Sequence, residues 1–167
     1  MNLFSICSNQ GRPVKTAEVD FHFPLLGFTP DGEIWGFPDL NALTICGPRT
    51  LKERLQANME LVDADGRRWI VRSVRRVGRA RPLIPWLVSS LLATPQSRIE
   101  HELEQLETIT LIEAQARACA SMTAFPQDFG AEDENDPVLD GRLAEVRATR
   151  TISAIHEVLG LDSFMAY

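Results

Sequence analysis

Residues 58–81, NMELVDADGRRWIVRSVRRVGRAR, constrain the fold more than any other stretch of the chain. Residues 58–62 form a short strand-like run, Asp63-Ala64-Asp65-Gly66 follows, and residues 67–77 return. An Asp-Gly pair between two such runs signals a hairpin, because glycine takes the positive φ of a tight turn with no Cβ to clash. Side chains alternate between the faces of a strand. One face of the return strand then carries Trp69, Val71, Ser73, Arg75 and Val77, and the other Arg68, Ile70, Arg72, Val74 and Arg76. The Trp69 face is the expected core face. The second face sets Arg68, Arg72 and Arg76 in a row, which is a solvated face, a binding face or one side of a cross-strand charge ladder.

An earlier segment follows the same plan. Residues 17–28 read as a strand, with Val19, Phe21 and Phe23 on one face and Asp20 and His22 on the other. Pro24 lacks a backbone donor, which implies an edge position or a break there. Thr29-Pro30-Asp31-Gly32 is a turn sequence, with proline where its fixed φ is needed, and residues 33–37 return. Asp31-Gly32-Glu33-Ile34-Trp35 and Asp65-Gly66-Arg67-Arg68-Trp69 share the pattern D-G-x-x-W. Two hairpins that meet the same turn requirement, each placing a tryptophan in the core, explain the match; an ancestral duplication is the alternative.

The remaining segments supply a third strand unit and the helices. Asp39 is placed to cap a short helix at residues 40–44, Gly47-Pro48 breaks it, and residues 50–55 form a further helical turn. Residues 85–93 are apolar all round, so that helix is expected either buried or on a partner surface. Residues 98–104 fit both helical and strand periods. Strand is the expectation, because Glu100, Glu102 and Glu104 then form a row that complements the arginines across a strand pair. Arginines so paired are structural. Thr110-Leu111-Ile112-Glu113 is a capping-box signature that opens a helix to about residue 122. Residues 125–137 form a loop with five acids, Asp128, Glu132, Asp133, Glu134 and Asp136, followed by helices at residues 138–148 and 151–159. Gly160 is placed as a C-terminal cap, and the apolar ending LDSFMAY is expected to dock on the body.

Together these elements predict an α+β fold. A mainly antiparallel sheet of about five strands (two Asp-Gly hairpins plus the Glu-rich strand) has helices packed on one face and a helical C-terminus. Residues 1–16 are expected to be a flexible end and residues 17–167 a single domain.

Charge and composition narrow the function. Residues 1–81 hold 12 Lys/Arg against 9 Asp/Glu, net +3, and residues 82–167 hold 5 against 14, net −9, making the −6 of the whole chain. An acidic protein must overcome phosphate repulsion to bind nucleic acid, which makes that class of partner unfavoured. The longest nearly apolar run, residues 83–93, falls short of the ~20 residues that span a bilayer, so no transmembrane helix is expected; Arg79-Ala80-Arg81 beside that run could touch an anionic membrane surface, but the helix lacks a basic polar face of its own, and no membrane partner is expected. The N-terminal MNLFSICSNQGR lacks the basic and apolar regions of a secretion signal, and Cys7, Cys46 and Cys119 are odd in number and widely spaced. Both features favour a cytoplasmic location with reduced thiols.

Catalytic signatures are few. The chain has no G-x-G-x-x-G, Walker loop or G-x-S-x-G elbow. His101-Glu102-Leu103-Glu104-Gln105 begins like H-E-x-x-H, but Gln105 stands where a zinc site needs its second histidine. Asp20 and His22 share a strand face and could orient one another for acid–base work, and Cys46 stands near Arg49. Surface decoration and an idle thiol are the simpler explanations. The acid loop lacks EF-hand spacing, so a solvated charge run or a protein-binding surface is expected there rather than a metal.

The layout over about residues 26–160 resembles small stand-alone immunity proteins of bacterial polymorphic toxin systems. The resembling stretches are WGFPDL from Trp35, LVDADGRRWIV from Leu61, IEHELE from Ile99 leading into TLIEA, and the acidic loop with a helix running into EVLG. The resemblance implies a compact, acidic, non-catalytic protein, with no cofactor and no metal, that blocks a cognate toxin by binding it. An acidic surface suits a basic toxin. The expected contact surface is Asp128, Glu132, Asp133, Glu134 and Asp136. The alternative is a nucleic-acid-binding or regulatory domain that uses residues 67–81, through Arg68, Arg72, Arg76, Arg79 and Arg81. A hydrolase built around Asp20, His22 or Cys46 is the third reading.

Overall fold

A computed structural model describes residues 12–80 and 96–161. Among those residues the chain is α+β, with a seven-stranded sheet whose every pairing is antiparallel. The strands are β1 (Val14–Lys15), β2 (Leu25–Phe28), β3 (Ile34–Phe37), β4 (Ile45–Cys46), β5 (Glu60–Val62), β6 (Arg68–Arg79) and β7 (Ser97–Leu106). Their order is β1-β7-β6-β5-β2-β3, with β4 also on β7. The helices are α1 (Leu40–Thr44), α2 (Pro48–Lys52), α3 (Leu111–Ala124), α4 (Pro137–Ala148) and α5 (Ile152–Leu159). The two strands beyond the expected five are β1 and β4, each two residues long and each paired with β7. Two residues are too few to show a period. β1 also brings Val14 and Lys15 into the sheet and buries Thr16, inside the segment expected to be a flexible end.

Both hairpins form where the turn chemistry puts them. In the first, Thr29 N–H donates to Glu33 O at 3.0 Å and Gly32 N–H to Thr29 O at 3.1 Å. In the second, Asp63 N–H donates to Arg67 O at 3.0 Å and Gly66 N–H to Asp63 O at 3.0 Å. Trp69 is buried at 3 % exposure, and Trp35 is half-buried with its indole N–H on Glu33 Oε2 at 3.0 Å. The strand expected from residue 17 begins instead at Leu25, after Pro24; residues 16–18 form a 3-10 turn. A residue without an N–H cannot continue a ladder.

Alternation along the strands builds two cores, one on each face of the sheet. Neighbours part company: Leu26 and Val62 join the first core, Leu25 and Leu61 the second. The first core packs Leu26, Phe28, Ile34 and Val62 against Ala114, Ala118 and Met122 of α3, and against α4 and α5. The second holds Phe37, Trp69, Val71 and Leu103 under Phe21, Leu43 and Met59. The long helices thus lie on one face, as expected, and the chain before β2, with α1 and Met59, closes the other. α3 carries the full capping box: Glu113 N–H donates to Thr110 Oγ1 at 3.2 Å and Thr110 N–H to Glu113 Oε2 at 2.8 Å. The apolar stretch 83–93 and Arg81 lie outside the described residues, as do residues 162–167 of the apolar ending.

Candidate binding surfaces

β6 and β7 run side by side for most of their length, and their register decides what the arginines do. Val71 lies opposite Leu103, but Ser73 lies opposite Glu102, so Arg72 is an extra residue in a β-bulge. A bulge shifts the phase of every later side chain. Arg75, not Arg76, therefore joins the carboxylate row, opposite Glu100; Arg76 lies opposite Ile99, on the face of Val74 and Trp69. The sequence-based row of Arg68, Arg72 and Arg76 is corrected to Arg68, Arg72 and Arg75.

That row is matched by acids. Arg72 Nε donates to Glu104 Oε2 at 2.7 Å, and Arg75 Nη2 to Glu100 Oε2 at 2.5 Å. The Arg75 bond is the main reason Glu100 is held below the usual carboxylate range, with Lys15 adding to it at 3.7 Å. Glu102 takes Ser73 Oγ–H at 2.7 Å rather than an arginine. Arg68 reaches both neighbours of its strand, with Nη1 3.3 Å from Glu60 Oε2 on β5 and Nε donating to Glu107 O, just past β7, at 3.0 Å. Glu60 also holds Arg117 of α3 at 2.9 Å, so this carboxylate ties β5, β6 and α3 together. Arg76 and Arg79 are exposed towards the end of β6. Trp69 now shares a face with Arg76, but its burial removes it as a stacking platform for a base.

The acid loop is anchored rather than loose. Phe129 and Ala131 insert into the first core, and residues 126–129 form a 3-10 turn. Asp136 caps α4, with Oδ1 accepting from Val138 N–H and Oδ2 from Glu132 N–H, each at 2.8 Å. Those two bonds hold its carboxyl below the usual carboxylate range. Asp133 Oδ1 accepts from Asn135 N–H at 2.8 Å. Asp128, Glu132 and Glu134 are exposed, with no side-chain bond to a described residue. Of the five acids, two therefore build the loop and three face solvent.

The residues considered for hydrolysis are not assembled. His22 bonds through Nδ1 to Asp65, across the hairpin, not to Asp20. Asp20 contributes its carbonyl, which accepts from Arg67 Nη2 at 2.7 Å. The His22–Asp65 pair is about half exposed on both sides, on open surface. Cys46 is buried, which pushes its thiol up and keeps the proton on sulfur at neutral pH. Among the described residues no cluster of three or more His, Cys, Asp or Glu could hold a metal, and no helix is long and apolar enough to cross a membrane.

The structure adds a buried polar relay that local sequence does not announce. His101 is fully buried on β7. Thr16 Oγ1 lies 3.0 Å from Nδ1 and accepts the His101 backbone N–H at 3.0 Å, while Nε2 lies 2.6 Å from Gln56 Oε1. Burial lowers the His101 pKa to about 4, so the ring is neutral. With Nε2–H donating to Gln56, Nδ1 accepts from the Thr16 hydroxyl. The partners are 85 and 45 residues away in sequence, beyond any local motif. No family model, curated protein or solved structure matches this chain.

Proposed function

We propose that the protein is a non-catalytic protein-binding module of the immunity type, which neutralises a cognate basic toxin by direct contact through the acid loop. The observation that carries this reading is the contrast between the two charge clusters. Arg72 and Arg75 of β6 are matched by Glu104 and Glu100, whereas Asp128, Glu132 and Glu134 stand exposed on a loop pinned to the core by Phe129 and Ala131. A rigid cluster of unmatched acids steers a basic partner and loses little entropy on binding. The surplus of acid in residues 82–167 adds to the same field.

The test uses the triple variant Asp128→Lys, Glu132→Lys, Glu134→Lys, which spares the loop-building Asp133 and Asp136. Immobilised wild-type protein is expected to capture one stoichiometric partner from host lysate after nuclease treatment. The variant is expected to slow association with the purified partner by at least about tenfold at low salt, with the difference shrinking as salt rises. Equal association rates and equal salt dependence would remove the acid loop from the interface. Nucleic acid in place of protein would favour the arginine reading, in which Arg76 and Arg79 are the exposed cations to test.

A further inference from the structure

A cleft of 410 Å³ lies beside the buried relay, between residues 46–57 and the bulged part of β6. Its apolar lining includes Leu51, Val74, Ile99 and the thiol-bearing Cys46. Its polar lining is made of donors. Thr50, Arg54, Gln56, Arg72 and Ser73 contribute, and no Asp or Glu does, in a chain with 23 of them. Arg72 and Ser73 are already bonded to Glu104 and Glu102. The donors left are the Thr50 hydroxyl, the Arg54 guanidinium and the Gln56 amide.

Gln56 is the informative residue. It is only 4 % exposed, yet its amide nitrogen donates to no described residue. Its oxygen lies 2.6 Å from His101 Nε2, on the far side of the ring from Thr16, and accepts the Nε2–H when Nδ1 takes the Thr16 hydroxyl proton. The relay therefore orients Gln56 with its oxygen inward and its two N–H donors at the cleft. Facing the cleft, those N–H groups are open to water, and a ligand acceptor can take the place of that water.

We propose that this cleft binds a small monocarboxylic acid, with the carboxylate between the Gln56 amide and the Arg54 guanidinium and a short hydrocarbon body against Leu51, Val74 and Ile99. One guanidinium and one amide match a single negative charge. The volume lies within the range of ligand pockets, so a short hydrocarbon body fits with room to spare. The site is separate from the acid loop and does not depend on it.

The test is a titration of the full, isotope-labelled chain with sodium butyrate, read by NMR at the Gln56 side-chain amide. A saturable shift is expected at up to about 10 mM acid. Butyramide, the neutral analogue, is expected to bind at least about tenfold more weakly, since it lacks the charge that Arg54 recognises. Gln56→Glu keeps an oxygen for His101 but replaces the donors with negative charge, and is expected to abolish binding. Arg54→Asn is expected to weaken it severalfold and cannot disturb the core, because the side chain is exposed and asparagine tolerates the left-handed backbone at φ +54°. It serves alone if Gln56→Glu fails to fold. No saturable shift at Gln56, a shift unchanged in Arg54→Asn, or equal binding of acid and amide would each overturn the proposal.

Discussion

The two Asp-Gly turns allow one substitution to be compared in two settings. Gly32 and Gly66 both have positive φ, +96° and +80°, and both donate to the carbonyl three residues back. A Cβ added at Gly32 would meet only Phe125 Cε2, at an ordinary 3.8 Å. At Gly66 it would lie 2.5 Å from the backbone oxygen of Ile109. That neighbour cannot simply retreat, since Ile109 N–H donates to Gly66 O at 2.9 Å and joins the turn to the entry of α3. Gly32→Ala should cost about 1–2 kcal/mol, the cost of the left-handed backbone. Gly66→Ala carries the same cost, plus about 1–3 kcal/mol for the enforced overlap. It also weakens a buried hydrogen bond, for a total of roughly 3–5 kcal/mol. At 2–4 °C per kcal/mol for a chain of this size, the melting temperature should fall by roughly 2–8 °C for Gly32→Ala and roughly 6–20 °C for Gly66→Ala. Urea unfolding followed by tryptophan fluorescence gives both free energies at one temperature. Equal losses, within about 0.5 kcal/mol, would show that contact with Ile109 does not constrain the turn and would refute the reasoning.

Two further perturbations address buried polar groups. Folded His101 titrates at about 4 against 6.5 for an ordinary histidine, so as pH falls the unfolded chain takes up this proton first. Its contribution is complete above about pH 6.5 and is lost at about 1.4 kcal/mol per pH unit down to about pH 4. Urea midpoints for wild type and His101→Gln should therefore converge as pH falls through that window, and parallel curves would show that the ring is not held neutral by burial. Asp63, whose side chain is fully buried, accepts from the N–H groups of Asp65 and Arg67 at 3.0 and 2.9 Å and from Arg67 Nε at 2.8 Å. Asp63→Ala leaves those donors and a part-exposed guanidinium unmatched, for an expected loss of about 2–4 kcal/mol in the same urea assay; a loss under about 1 kcal/mol would mean water replaces the carboxylate.

What could be read from the sequence was what is local. Asp-Gly turns, the Thr110–Glu113 capping box and the glycine after α5 each act within a few residues, so their chemistry is written in adjacent letters. Opposition of arginine and glutamate rows was also legible, since both alternate along strands. Its phase was not. The bulge at Arg72 depends on how β6 meets β7, and nothing in Arg72-Ser73-Val74-Arg75-Arg76 marks it. The acid loop carried a usable sign: Phe129 and Ala131 interrupt its polarity and anchor it. So did Asp136-Pro137, a cap followed by proline at the first helical position, which starts α4 one residue before the expected Val138. The Thr16–His101–Gln56 relay and the cleft beside it arise from three distant segments and left no local trace.

The same bulge explains why the only dense basic cluster lies on β6. β5 pairs with this strand only from Arg68 to Ile70, and Asn58 and Met59 bond Val71. Beyond that point no described residue pairs with the outer edge of β6, although β6 runs to Arg79. A long open edge is a template for pairing with another chain. Here it is interrupted twice, between Val71 and Ser73 and between Arg76 and Gly78, and it bears exposed Arg72, Arg75, Arg76 and Arg79. Bulges and long cations are the devices by which sheet edges resist association. Placing glutamates on β7 beside two of these cations lets the edge stay charged without building a strong positive field across the sheet. The arginine cluster thus has a structural cause that requires no nucleic acid. The acid loop has no equivalent partner among the described residues: its solvent-facing Asp128, Glu132 and Glu134 pair with none of the described cations, and an unmatched charge held rigid is where a complementary partner gains most.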